Sequence, residues 1–177
     1  MKNIIFIFTI VFLYFFKTEA GTGKVKSIVT LNQLNETAFK NLLKTNDCGY
    51  KIINFWSVKC IGCKFKLHDL AHFSHVLKEN DLQLISVNTD GINYKTKSAK
   101  YLNKFKIQGD HYFINESESE LLKNLGLQFE DEIPHIIVIG PEGNVVFAID
   151  EEGSVSELFE NLKHKMGKNL LSENWWN

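Results

Sequence analysis

Arginine is absent from the 177 residues, so all 20 basic side chains are lysines. Bidentate guanidinium contacts to phosphate or to a guanine edge are therefore out of reach. Twenty-one acidic residues bring the formal net charge to −1, so there is no basic excess of the kind that marks a nucleic-acid binder. A nucleic-acid partner is excluded on both grounds. Three cysteines are too few for a disulfide scaffold, and their spacing matters more than their number. There is no internal repeat, no low-complexity tract and no charged tail. What remains, 44% hydrophobic and 23% charged, is the composition of one ordinary globular domain.

The first 20 residues stand apart. Lys2 is followed by an apolar run from Ile4 to Phe16, broken by Thr9, and then by Thr18-Glu19-Ala20. This is the pattern of a secretory signal cleaved after Ala20. The run falls well short of the roughly 20 residues that cross a bilayer as a helix, and an uncleaved anchor that tethers the chain to a membrane is the rival reading. Either way the domain, residues 21–177 with 167–177 as a tail, is expected outside the cytoplasm (periplasmic, secreted or membrane-anchored), where disulfides persist.

Within the domain, strands alternate with helices. Strands are expected at Lys26–Leu31, Lys51–Ser57, Leu82–Val87, Tyr112–Ile114, Ile133–Ile139 and Val145–Ile149. Helices are expected at Asn35–Lys44, Cys60–Lys78, Lys95–Phe105, Glu118–Leu125 and Ser154–Lys165. Gly140-Pro141-Glu142-Gly143-Asn144 reads as a hairpin turn, and Ser154 with Glu157 as a capping box. In the long second helix Leu67, Leu70, Ala71, Ser74 and Leu77 share one face, with Cys60 and Cys63 close to the same side. The order argues an α/β fold with a central mixed sheet flanked by helices.

The sharpest chemical feature is Cys60-Ile61-Gly62-Cys63, directly after a buried strand and opening a helix. Unpaired backbone N–H groups and the positive end of the helix dipole stabilise a thiolate there. Three residues on one turn bring the sulfurs within bridging reach. Cys60, nearer the tip, is the expected attacking thiolate, and Cys63, one turn in, resolves the mixed disulfide. Lys59, Lys64 and Lys66 crowd the same turn and would further favour the thiolate. Half of a zinc site is the competing reading, but no second Cys-x-x-Cys or His pair has matching spacing.

The stretch Asn54-Phe55-Trp56-Ser57-Val58-Lys59-Cys60-Ile61-Gly62-Cys63-Lys64 resembles the active-site segment of thioredoxin-like proteins, most closely the extracytoplasmic TlpA/ResA-type thiol–disulfide oxidoreductases. Ile133-Pro134-His135 and the following strand and turn resemble that family's cis-proline loop and hairpin. The resemblance covers roughly residues 28–165 and implies a thioredoxin-like fold. It implies a cis Pro134 facing Cys60, an Ile133 backbone that pairs with an extended substrate, and Trp56 flanking the site, although a strand Trp is also an ordinary core residue. It also implies protein thiol and disulfide substrates, an upstream electron donor, reductase direction, a role such as cytochrome c maturation, and no organic cofactor or resident metal. The span from Thr89 to Asn115 looks like that branch's helix-containing insertion after the second core strand.

The chain also departs from its relatives. Asn54 stands where thioredoxins proper carry a buried, proton-moving Asp, and Lys66 and His68 stand where the branch often has Glu and Pro. Two other classes stay open. A thiol peroxidase would use Cys60 helped by Ser57, and a copper-handling module would use Cys60, Cys63 and His135. His68, His72 and His75 form a helical stripe read as solvated. Cys48 is the odd thiol, read as inert, with pairing between chains as the alternative. Glu130-Asp131-Glu132 is read as a solvated loop. Trp175-Trp176 is either a docking tag, a membrane-surface anchor or a tail packed on its own domain.

Overall fold

The computed structural model describes residues 29–44, 49–115, 117–124, 133–150 and 152–167. The leader, Cys48, Glu130–Glu132 and Trp175–Trp176 lie outside the described residues. Strand β2 (Tyr50–Trp56) is buried from Lys51 onward, the continuous burial of a central strand covered on both sides. It pairs in parallel with β3 (Leu82–Asn88), from Tyr50↔Leu82 to Trp56↔Asn88, and antiparallel with β5 (His135–Ile139). Strand β6 (Val145–Ile149) returns along β5 through the expected hairpin, closed by Gly140 N–H to the Asn144 carbonyl at 2.9 Å. On the far side of β3 lie β4 (Asp110–Phe113) and then β1 (Asn32–Gln33), both parallel to their neighbours. The six-stranded sheet is therefore mixed, in the order β1-β4-β3-β2-β5-β6.

The helices begin where their caps dictate. Asn35 Oδ1 accepts from Ala38 N–H at 2.9 Å to open α1 (Glu36–Lys44). Ser154 Oγ accepts from Glu157 N–H at 3.1 Å to open α5 (Val155–Met166). Helix α2 (Ile61–Glu79) runs unbroken past His68. Helices α3 (Lys95–Phe105) and α4 (Glu118–Asn124) complete the set. Because strand side chains alternate, the sheet has two cores. Ile52, Trp56, Leu84, Ile136 and Val138 face α2 and α5, where Phe73 stacks on Phe159 at 3.9 Å. Ile53, Phe55, Ile85, Val87 and Ile137 face α1 and α4, around Phe39 and Leu121.

One expectation changes. Among the described residues the first strand begins at Asn32, after the expected Lys26–Leu31; sheet pairing starts at Asn32↔Tyr112, and Val29 N–H donates to Asn103 Oδ1 at 3.4 Å. Residues 26–28 are outside the described set, and Leu31 is buried as core without being strand. The insertion from Thr89 to Asn115 holds its expected helix, α3, and its expected strand, β4, set between β3 and β1, with a 3-10 turn (Ile92–Tyr94) ahead of the helix. Gly109, at φ 127°, lets β4 close on β3; a Cβ there would collide with the Leu84 carbonyl. Among the described residues no helix is long and apolar enough to cross a membrane.

Candidate active site

The parallel strands β2 and β3 end side by side, Trp56 opposite Asn88, so the residues just after each strand meet at one edge. There the chain turns from β2 into α2 through Ser57-Val58-Lys59 and reaches Cys60, the N-cap of α2. Cys60 and Cys63 are joined in a disulfide, with Cα atoms 5.3 Å apart. Cys60 is partly exposed and Cys63 fully buried. Cys63 N–H donates to Cys60 Sγ at 2.9 Å, the capping bond that in the dithiol state would stabilise a Cys60 thiolate. On the other flank Cys60 Sγ lies 3.7 Å from the Ile133 carbonyl oxygen, and the Ile133–Pro134 peptide is cis. The structure thus brings Cys60, Cys63 and Ile133 together, and Pro134, next in the chain, is buried.

What holds the turn is a residue that the sequence reading passed over. Asp90, whose side chain is 3% exposed, reaches across from the end of β3. Its Oδ1 accepts from Ser57 Oγ at 2.7 Å, and its Oδ2 accepts from Val58 N–H at 2.7 Å and from Asn88 Nδ2 at 2.9 Å. Ser57 Oγ in turn accepts from Lys59 N–H at 3.0 Å. The only sequence signal for this pairing was that Ser57 follows one buried strand and Asp90 comes two residues after another, at the strand ends where α/β sheets place their sites.

The lysine expectation needs correcting. Lys59, Lys64 and Lys66 share a turn, but their ammonium groups are drawn to three different partners. Lys59 Nζ lies 3.7 Å from Asp90 Oδ1 and 4.4 Å from the centre of the Tyr94 ring. Lys64 Nζ lies 5.6 Å from the Tyr101 ring centre. Lys66, buried, donates to the Asp150 carbonyl at 2.7 Å and to the Gly153 carbonyl, tying α2 to the β6–α5 turn. A buried ammonium is tolerated there because carbonyl oxygens replace its water.

Trp56 also lies elsewhere than the resemblance implies. It is fully buried, and its indole N–H donates to Ser86 Oγ at 2.7 Å, so its side chain is core beneath the site and has no surface to offer a substrate. Asn54, on the same face of β2, is 1% exposed, and neither of its polar side-chain atoms has a hydrogen-bond partner among the described residues.

The structure bears on both rival classes. The hydroxyl of Ser57, needed beside Cys60 for peroxide chemistry, is committed to Asp90 and Lys59 N–H. His135 is not gathered with the cysteines into a ligand set; among the described residues no three His, Cys, Asp or Glu side chains converge as a metal site. Burial pushes the His135 imidazole pKa down, with Lys66 acting the same way and Asp150 against it. The Asp150 carboxyl is itself held below the usual range by the N–H groups of Gly153 and Glu152. His68 and His72 are exposed, their rings 4.8 Å apart.

Residues 49–145 match a family described as thioredoxin-like. Among curated proteins, NHL repeat-containing protein 2 of Homo sapiens is 26% identical over 114 residues, 61% of this chain and 15% of that protein. Its Bos taurus counterpart is 28% identical over 123 residues, 63% of this chain and again 15% of the relative. The chain thus matches only a small part of these curated relatives. Among solved structures, the thioredoxin domain of a thiol-disulfide oxidoreductase from Bacteroides vulgatus superposes with a TM-score of 0.53 at 20% identity, over 68% of this chain and 81% of that one. A thiol:disulfide interchange protein from Bacteroides sp. gives 0.54 at 19% identity, over 70% and 77%. A thioredoxin family protein from Chlorobium tepidum gives 0.52 at 19%, over 72% and 83%. At these identities the superpositions establish the fold.

Proposed function

Since the chain belongs to the thioredoxin-like family, we propose that it is a thiol–disulfide oxidoreductase acting on protein cysteines outside the cytoplasm, in the reducing direction, as TlpA/ResA-type proteins do. The observation that carries this reading is the placement of Cys60 Sγ. It caps α2, receives the Cys63 N–H, and sits against the Ile133 carbonyl at the mouth of the site. The leader pattern of Lys2, Ile4–Phe16 and Ala20 supports the compartment.

In the reducing direction the Cys60 thiolate attacks one sulfur of a substrate disulfide. That bond breaks, the departing sulfur leaves as a thiolate, and a Cys60–substrate mixed disulfide forms. Cys63 then loses its proton, which balances the charge on the departing thiolate, and attacks Cys60 Sγ. The second substrate sulfur is released and the Cys60–Cys63 disulfide remains. Two electrons and the Cys63 proton have passed to the substrate, whose second sulfur leaves as a thiolate and takes its proton from solvent, and an external dithiol donor returns the pair to its starting state. The step needs no organic cofactor and no metal. Ile133, partly exposed with its carbonyl beside Cys60, is positioned to pair with an extended substrate backbone.

The test is disulfide exchange by the full chain on a model peptide. Cys60→Ser is expected to abolish reduction of the peptide. Cys63→Ser is expected to trap a covalent Cys60–peptide adduct visible by mass spectrometry. Turnover that survives in Cys60→Ser contradicts the proposal.

A further inference from the structure

The insertion brings an unusual surface to the side of the disulfide. Helix α3 holds four lysines and no acidic residue in its sequence KTKSAKYLNKF. Ser98 and Leu102 are its buried positions, while Lys97, Lys100 and Lys104, spaced i, i+3 and i+7, share the exposed side. The helix is fastened beside the Cys60 turn by ring contacts: Lys59 and Lys97 lie 4.4 and 6.0 Å from the centre of the same Tyr94 ring. Two like charges therefore converge on Tyr94. The carboxylate beside Lys59, Asp90 at 3.7 Å, is 3% exposed and also accepts from Ser57, Val58 and Asn88.

The large hydrophobic side chains exposed among the described residues occur here too. Ile61, between the two cysteines, and Phe65, one turn further on, are each 69% exposed, and Ile92, two residues before Tyr94, is 51% exposed. An apolar rim around a reactive sulfur, bordered on one side by the α3 lysines, is a surface with a preferred occupant.

We propose that this face, made of the α2 tip and α3, docks an acidic polypeptide segment that carries the reacting cysteine. The apolar rim holds the residues next to that cysteine, and Lys97, Lys100 and Lys104 meet carboxylates several residues away. This rests on the redox reading, because the disulfide makes a cysteine-bearing occupant chemically useful there. The chain's formal net charge of −1 supplies no wider basic field for a nucleic acid, which favours a carboxylate-bearing protein.

The test uses the reduced full chain and two disulfide peptides, identical except that glutamates or lysines flank the cysteine, in single-turnover reduction. The glutamate peptide is expected to react about tenfold faster at low ionic strength, with the gap closing as salt is added. Lys97→Glu, Lys100→Glu and Lys104→Glu together are expected to remove the preference. The same charge change at Lys44, Lys123 and Lys165, on α1, α4 and α5, is expected to retain it. Equal rates, a preference for the lysine peptide, or a preference that survives the α3 substitutions overturn the docking proposal and leave the redox reading standing. Failure to reduce either peptide removes the redox reading and the docking proposal with it. Tight binding to phosphatidylserine vesicles together with equal peptide rates assigns the face to a membrane and overturns the proposal.

Discussion

The two faces of the sheet are built on different terms. Against α1 and α4 the buried cluster is aliphatic and aromatic, from Leu34 and Phe39 to Ile137 and Ile139. Against α2 the same strands carry Asn54 and Ser86, with His111 in register beside Ser86, and beneath the reactive turn lies Cys63. The first face is not wholly apolar, since Lys51, 4% exposed and in register with Ile139, lies at the end of β2 away from the disulfide. On the second, polar groups replace apolar ones at buried positions nearer the strand ends that hold the disulfide. A buried polar atom without a partner costs about 1–3 kcal/mol, so the reactive face gives up stability where chemistry is placed. Asp90 shows the converse: a buried carboxylate whose oxygens accept hydrogen bonds from Ser57, Val58 and Asn88, and so holds the turn rigidly enough to aim Cys60.

Substitutions can break this contrast in graded steps. Ile53→Ala, on the apolar face, is expected to lower stability by about 2–5 kcal/mol while the folded protein exchanges disulfides at an unaltered rate. Urea unfolding paired with a single-turnover assay reads both. Asp90→Asn swaps an accepting oxygen for a donating amide opposite Val58 N–H or Asn88 Nδ2, and should cost about 1–3 kcal/mol. It should also change the alkylation rate of Cys60 in the reduced protein, a readout that a purely structural role elsewhere would leave alone. Asn54→Leu fills a similar volume without polar atoms and should leave stability level or raise it by about 1–2 kcal/mol, in contrast to Ile53→Ala.

The smallest expected effect is in pH. Burial holds the pKa values of His111 and His135 below the ordinary histidine value. Above about pH 6.5 both states are neutral at these rings and stability is flat. As pH falls below that value, the unfolded chain binds protons first, and stability declines toward the lowered folded pKa values. Unfolding midpoints measured across that range should show the decline, and His111→Gln should flatten part of it.

What the sequence disclosed was mostly local. The Cys60-x-x-Cys63 turn, the Ser154 cap, the hairpin at 140–144 and the period of α2 each depend on residues a few positions apart, where periodicity and capping rules apply directly. The cis Pro134 was accessible through family resemblance. The contacts that went unread are long in sequence: Asp90 reaches back to Ser57 and Val58, and Lys66 reaches forward to Asp150 and Gly153. A lysine three residues past a reactive cysteine looks like a local electrostatic neighbour until the fold supplies carbonyl oxygens that attract it more strongly. Trp56 misled for a related reason, since its place beside the motif in sequence becomes a place beneath it in the fold. The approach to β1 depends on the same kind of distance: Val29, three residues before the strand, donates to Asn103 far along the chain.

The most direct test of the redox reading is equilibration of the full chain across a range of glutathione ratios, with thiols counted by alkylation and mass spectrometry. The account predicts that Cys60 and Cys63 pass together from dithiol to disulfide in a single two-electron transition; a midpoint of about −270 mV marks a reductase and one of about −120 mV an oxidase. Cys60 that accumulates as a glutathione adduct, with no internal bridge to Cys63 at any ratio, would contradict it.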